Sequence, residues 1–560
     1  MRNEEVDAPL LRPLIGCLES LLLAQDLIAW ALPQTQVSPR AAIAGLLALA
    51  VNPRPKVRKR ALEALSKVLA NPPPNPSLDH PVADLCAETA LLHLRETVEA
   101  SQKRQKARSN AYDEHQPVLL HALQLVKTVA SASGGWPSKK IDSLCELLLG
   151  IAKSSNEFLT VAAFEIFEVM FAGMANEISS AKLPRLLEVI SDLQPSQNDT
   201  QLLPPWIAVL SRAYEVSAQM EPEDTFVKLP EVFEMVSTFL SSMSHNIRVS
   251  ASECLIGFAE TCIPPSVILE PSVYDEKILE KIGKIGTGLL TMKYQAAWME
   301  VFKVLAALFE ALKWRAILNL DDVVKAVGEL RSNESFNGKQ EADVVLGMAV
   351  EAMGPESVLS LLPLNLAKPQ AGQPGRAWLL PILRDHVSNT NFIHFKTEFV
   401  PLSEVMFQKV MNHGSKEKSM EIKIFETVVQ QIWSLLPGYC TLPLDLTTAF
   451  DQGFAELLAN LLYQKTDLRV DICNGLQLLV ESNKAILAIE GPEEDMLKQR
   501  RISKQIAQGN LNHLATFSGN LLAVLFNVYM QTLPHFRGYI LQCLNSYLSI
   551  TPEKVGGQVK

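Results

Sequence analysis

The chain has 560 residues, 48% of them hydrophobic and only 7% aromatic, so its apolar content is mostly Leu, Ala, Val and Ile, which suits helices packed in layers. With 20% charged residues beside that apolar share, wholesale disorder is excluded, and a net charge of -10 at pH 7 does not suit a general nucleic-acid coat, although local basic patches remain open. The most apolar runs, 41–51 and 521–528, are too short for the roughly 20 residues of a membrane span, and the start Met1-Arg-Asn-Glu-Glu is acidic where a secretory signal needs positive charge.

Taken in chain order, apolar residues recur at spacings of three and four in 10–31, 41–50, 57–69, 82–99, 118–130, 141–152, 158–170 and 183–193. The same spacing returns in 232–243, 249–261, 277–290, 296–311, 320–330, 342–352, 420–435, 454–463, 472–481, 519–530 and 536–548. Each of these predicts a helix. Period-two alternation is hard to find, and short breakers such as Asn71-Pro-Pro-Pro, Pro264-Pro, Gly354-Pro and Leu436-Pro-Gly separate the helices, so the prolines are expected at helix ends and turns. Longer loops are expected near 99–116 and 365–375, with no firm domain boundary: residues 1–560 read as a single continuous array.

Three sites share one template. An apolar residue is followed by Arg, with further apolar residues four and eight positions after the first: Val57-Arg58, Ala61, Leu65; Ile247-Arg248, Ala251, Leu255; and Leu468-Arg469, Ile472, Leu476. Each follows a polar turn, and Leu159-Thr160, Ala163, Phe167 is a weaker copy with Thr in place of Arg. Positions i, i+4 and i+8 form one apolar stripe that a lone hairpin cannot cover, so neighbouring hairpins must stack. This predicts an all-α fold, a HEAT/armadillo-type α-solenoid superhelix of stacked helical hairpins. Intervals between the Arg sites are not clean multiples of the 40–47 residues of a HEAT unit, so the array is divergent or carries insertions. Arg58, Arg248 and Arg469 sit at the polar edge of the stripe and are expected to bridge to a carboxylate or turn carbonyl of the next unit.

Catalytic signatures do not occur. There is no GxxxxGK[ST], GxSxG or HExxH, and the loose Gly283, Gly286, Gly288 cluster has no strand context. None of the eight cysteines forms a CxxC pair and the ten histidines are scattered, so reduced buried thiols are expected, with no metal, no cofactor and no enzyme activity. Three basic clusters stand out: Arg54, Lys56, Lys59 and Arg60 around Arg58; Lys103, Arg104, Lys106 and Arg108; and Lys498, Arg500, Arg501 and Lys504. They are candidates for phosphate backbone or an acidic partner, weighed against solvated helix faces; without interleaved aromatics, any RNA contact would be to shape and phosphate. The run Ala377-Trp-Leu-Leu-Pro-Ile-Leu-Arg-Asp-His386 is read as core, with a partner groove as the alternative.

Asn52-Pro-Arg-Pro-Lys-Val-Arg-Lys-Arg-Ala-Leu-Glu-Ala-Leu65, with Leu69-Ala-Asn-Pro-Pro-Pro and His80-Pro81, resembles a signature stretch of the ribosomal RNA-processing protein 12 family. Gly375-Arg-Ala-Trp-Leu-Leu-Pro-Ile-Leu-Arg-Asp-His386, leading to Phe392-Ile-His-Phe395 and Phe399-Val-Pro-Leu402, resembles a second, in the family's order. The resemblance implies a non-catalytic HEAT-repeat scaffold of the nucleus and nucleolus, with shuttling to the cytoplasm. Its implied work is pre-rRNA processing, pre-ribosome assembly and nuclear export of subunits. The implied partners are pre-ribosomal proteins, pre-rRNA, the Ran GTPase and nucleoporins, with no membrane and no DNA. Family members are much longer, so this chain is expected to be a middle portion, and the family brings no catalytic motif. An importin-β-like transport receptor is the alternative reading.

Overall fold

A computed structural model describes residues 8–32, 37–74, 80–106, 116–132, 136, 140–152, 156–173, 183–367, 375–412, 420–491 and 500–552. No strand occurs among the described residues, and the chain divides into two compact units, Met1–Pro264 and Pro265–Lys560. The fold is the all-α, HEAT-type helical repeat that the stripe requires.

The first unit contains α1 (Ala8–Leu23), α2 (Pro39–Ala50), α3 (Pro55–Ala70), α4 (Ala83–Lys106), α5 (Gln116–Ala130), α6 (Ile141–Ala152), α7 (Glu157–Gly173), α8 (Leu183–Asp192), α9 (Leu203–Met220), α10 (Pro222–Thr238) and α11 (His245–Thr261). Helices α3, α5, α7, α9 and α11 each pack on the next and make one layer. Each is covered by its hairpin partner, α2 on α3 through α10 on α11, in a second layer, while α1 lies on α3. Four steps within one layer therefore separate Arg58 from Arg248, and loops of unequal length blur the repeat interval in the sequence.

The second unit contains α12 (Val273–Gly288), α13 (Trp298–Leu312), α14 (Asp321–Ser332), α15 (Lys339–Met353), α16 (Pro355–Leu361), α17 (Leu379–His386), α18 (Val400–Asn412), α19 (Met420–Trp433), α20 (Gln452–Gln464), α21 (Arg469–Ala488), α22 (Lys504–Gln531) and α23 (Gly538–Ile550). Its continuous layer runs α13, α15, α17, the single turn Leu436–Tyr439 that follows α19, α21 and α23. Two glycines let that layer close up. A Cβ on Gly347 would lie 2.5 Å from the His386 ring, and one on Gly438 would lie 2.5 Å from the Val387 carbonyl oxygen.

Side-chain caps account for several helix starts. Ser38, Asp451 and Ser503 accept hydrogen bonds from the first-turn amides of α2, α20 and α22, and Ser272 with Asp275 forms a reciprocal cap on α12. The template stripes are buried as expected: Val57, Ala61 and Leu65 on α3 and Ile247, Ala251 and Leu255 on α11 are fully buried, as are Ile472 and Leu476 on α21.

Several expectations change. The helix read over 10–31 breaks after Leu23, where the Asp26 carboxylate caps a new turn at Ala29. Residues 99–106 continue α4, because straight-chain Gln, Lys and Arg lose little rotamer freedom in a helix and cations suit its C-terminal end. Pro13 and Pro230 lie inside α1 and α10 and do not end them. Seven of the eight cysteines are buried, but Cys17 is exposed.

Candidate interaction surface

Helix α3 begins with Arg54 at its N-cap and places Lys56, Arg58, Lys59 and Arg60 in its first two turns, at the positive end of the helix dipole. Three of these charges are answered from within the protein. Arg58 Nη1 donates to the carbonyls of Asn52 (2.9 Å) and Pro53 (3.3 Å), closing the turn that precedes its own helix. Arg60 is half-buried and pairs with Glu19 of α1 at 2.6 Å, while Lys67, two turns along the same face, reaches the other oxygen of Glu19 at 3.2 Å. Partial burial would raise the Glu19 carboxyl, but Arg60 and Lys67 together outweigh it and hold it below its ordinary value. Arg60 is thereby turned inward, onto α1. Arg54 Nε donates to the Asn52 side chain. Lys56 and Lys59 remain exposed.

The repeat arginines share a role, though their partner is not the expected one. Arg248 Nη1 donates to the carbonyls of Ser242 (3.1 Å) and Met243 (3.2 Å), again its own preceding turn. The guanidinium fork reaches backwards because helical side chains lean toward the N-terminus, where the turn offers unpaired carbonyls. Thr160, standing in for Arg, places its hydroxyl 3.3 Å from the Ala152 carbonyl at the end of α6. Arg469 combines both directions: its Nε donates to the Leu462 carbonyl at 2.7 Å, and its Nη1 lies 3.5 Å from the Thr532 hydroxyl beyond α22.

Between α3 and α5 lies an open groove of about 750 Å³ lined by Arg58, Lys59, Lys67 and Lys127, with Glu63 among them. Lys127 is paired with Glu165 of α7 at 2.8 Å. Among the described residues, Lys59 is the basic residue of this groove for which no partner is seen. His121 is held below its ordinary value, first by burial and then by the nearby Arg58 charge.

The second basic cluster falls on the last turns of α4, where Lys103, Arg104 and Lys106 lie; their side chains and Arg108 are outside the described residues. In the third cluster Lys498 is also outside them. Arg500 is exposed, and Arg501 lies over the Trp314 ring at 5.1 Å, its backbone in the left-handed region at φ 56°. The fully buried Ile502 pins this stretch beside Leu442, Ile486 and Ala507, and Lys504 opens α22. The first two clusters lie in one unit and the third in the other.

The run from Ala377 to His386 is chiefly core: Leu379, Leu380 and Leu383 are fully buried. Trp378 is half-exposed and stacks on Arg331 at 4.8 Å, while Arg331 pairs with Asp343 at 2.5 Å. Nothing in the spacing of the sequence points to this triad, because its members lie on two different helices and in the turn before a third. Among the described residues there is no group of three His, Cys, Asp or Glu able to hold a metal, and no helix long and apolar enough to cross a membrane. Burial pushes the Cys86 thiol up to about 12 and the Cys262 thiol up to about 11, so neither is a thiolate at neutral pH.

Two family models match this chain: "Ribosomal RNA-processing protein 12, HEAT repeats" over residues 241–532, and "RRP12-like, N-terminal HEAT repeats" over residues 1–178. The chain belongs to the ribosomal RNA-processing protein 12 family. Ribosomal RNA-processing protein 12 of Saccharomyces cerevisiae is 39% identical over 98% of this chain, and the RRP12-like protein of Homo sapiens is 29% identical over 97% of it. The chain spans 46% and 40% of the length of these two relatives. Both signature stretches, from Asn52 and from Gly375, lie in the matched regions. Among solved structures, importin beta superposes with a TM-score of 0.45 at 12% identity over 99% of this chain and 65% of that one, a likeness too loose to bear on function.

Proposed function

We propose that this chain is a non-catalytic scaffold segment in ribosome biogenesis, acting in pre-rRNA processing, pre-ribosome assembly and nuclear export of subunits. The observation that carries the reading is family membership along nearly the whole chain. A fold of stacked hairpins supports it, because such layers expose long helical faces to macromolecular partners. Pre-ribosomal proteins are the principal partners in this reading, with pre-rRNA as a second. In this reading the Ran GTPase and nucleoporins are further partners, and the protein works in the nucleolus and nucleus with passage to the cytoplasm.

Within this reading the phosphate contacts fall to Lys56 and Lys59, which are exposed at the start of α3, and to Arg500 beside α22. Lys103, Arg104, Lys106, Arg108 and Lys498 belong to the same proposal. Arg60, tied to Glu19, is not expected to contribute.

Affinity purification of the full-length protein from nuclear extract tests the reading. Pre-ribosomal proteins and precursor rRNA should be recovered together, and recovery of neither overturns it. Direct binding of Ran-GTP with release of a bound cargo would favour the transport-receptor alternative.

A further inference from the structure

The helix that carries the second signature stretch is irregular at one place. Residues Phe395–Phe399 form a π-turn between the α-helical turn Phe392–His394 and α18. Pro401 follows at once, and it has no N–H to give to the Thr397 carbonyl one α-turn back. A wider turn at this position accommodates the missing bond, and such bulges recur at binding sites.

That widened turn forms one wall of a groove of about 800 Å³ facing α16 and the segment 363–367. Its apolar lining includes Leu359, Ile393, Leu402 and Val405, and Ile393 is 43% exposed. Two carboxylates stand at the same groove, Glu356 from α16 and Glu398 from the π-turn. Both are exposed, and neither forms an ion pair among the described residues. The neighbouring cations are hydrogen-bonded at or beyond its rim: Arg376 Nη1 donates to the Pro363 carbonyl at 2.8 Å. Lys396 Nζ is 2.8 Å from Asp451 and 2.8 Å from the Ala449 carbonyl, while Lys409 donates to the Ala367 carbonyl and sits over Phe425.

The buried pair beneath, His394 Nδ1 and Tyr439 Oη at 2.7 Å, registers both charges: after burial itself, Glu356 and then Glu398 act on each ring. The groove thus joins an apolar floor to two exposed carboxylates that make no ion pair among the described residues, and no described lysine or arginine lines it. Such a surface rejects an acidic segment and favours one with cations beside its apolar side chains.

We propose that the groove between α16 and α18 docks a partner-protein segment whose apolar side chains are flanked by arginine or lysine. Glu356 and Glu398 receive the cations, and Ile393 and Leu402 receive the apolar anchor. The two carboxylates are solvent-exposed, so each contributes modestly, and their joint loss is worth about tenfold in affinity.

The full chain is titrated with a short fluorescent peptide bearing a leucine pair flanked by arginines, and anisotropy is read at low and physiological salt. Glu356→Arg with Glu398→Arg should weaken binding about tenfold, Ile393→Lys should weaken it further, and added salt should lower the affinity of the parent chain. Glu356→Gln with Glu398→Gln, a milder exchange at exposed positions, should weaken binding less than the double reversal while leaving the circular dichroism spectrum unchanged. Equal binding of a peptide with glutamates in place of the arginines overturns the proposal, as does indifference to all of these variants. Binding that emerges only after residues 368–374 are replaced by a glycine-serine linker also overturns it, in favour of the chain's own segment as occupant. Recovery of pre-ribosomal material by the full-length protein would be unaffected by these results, so failure here is distinct from failure of the scaffold reading.

Discussion

Arg58 and Arg248 hold the same position in two hairpins and make the same bond: in each, Nη1 spans the carbonyls six and five residues upstream. The arginine of the repeat is therefore a clasp on the hairpin's own turn. It satisfies carbonyls of the turn between the two helices and ties that turn to the first turns of the second helix.

Removing the clasp should cost stability without changing the fold. Arg58→Ala and Arg248→Ala are each expected to destabilise their unit by about 1–2 kcal/mol, the scale of a charged hydrogen bond at a half-exposed site. Lysine at either position should recover only part of the loss, because its ammonium is more strongly hydrated and sits on a flexible stem without the planar guanidinium that holds Nη1 between the two carbonyls. Urea denaturation followed by circular dichroism checks this.

The stripe residues should respond more strongly. Leu65 and Leu255 are both fully buried and occupy the same template position. Truncation of either to Ala is expected to cost about 2–5 kcal/mol, through lost burial and the cavity left behind. Denaturant midpoints of the two variants should fall together; a null effect at one site alone would mean that the two helices are not packed alike.

Asn483 and Asn510 form a buried amide pair between α21 and α22 at 3.0 Å, and Asn483 also donates to the Leu479 carbonyl. Asn510→Leu leaves the Asn483 oxygen buried without that donor, at an expected cost of about 1–3 kcal/mol. Replacing both by Leu should recover part of the loss, and a double-mutant cycle measures the coupling.

Two histidines should give stability opposite dependences on pH. Burial holds His80 down at about 4, its Nδ1 accepting from the Val82 amide and its ring edge-on to Trp30. The unfolded chain takes up a proton near 6.5 and the folded one only near 4, so stability is full above about 6.5 and is lost as pH falls toward 4. His386 is raised instead, chiefly by its hydrogen bond to Glu351 at 2.7 Å. Its contribution is present below about 6.5 and is lost as pH rises through the folded value. His80→Asn, which keeps an acceptor for the Val82 amide, should flatten the acid limb, and Glu351→Gln should flatten the other. Denaturation across pH 4 to 8 reads both slopes.

Close approach of helices makes a further prediction. At Gly438 an added methyl would meet the Val387 carbonyl, which belongs to the backbone and cannot rotate away. Gly438→Ala is expected to cost about 1–3 kcal/mol by overpacking. At Gly347 the obstacle is the His386 ring, so Gly347→Ala should also disturb the His386–Glu351 pair and return the His386 titration, followed by NMR, toward its ordinary value.

By itself the sequence determined the helical class, the hairpin order and the buried stripes. These follow from spacings within one helix, as with Val57, Ala61 and Leu65, and spacing along a chain is what a sequence records. The basic character of the start of α3 was equally legible. What each charge does was not. Arg58, Lys59 and Arg60 are adjacent in sequence, yet one clasps a turn, one faces solvent and one is drawn to Glu19, because rotation by about 100° per residue sends neighbours to different surroundings. The groove beside the π-turn likewise depends on Glu356 and Glu398 meeting across two helices, and only the packing of the layers brings them to one place.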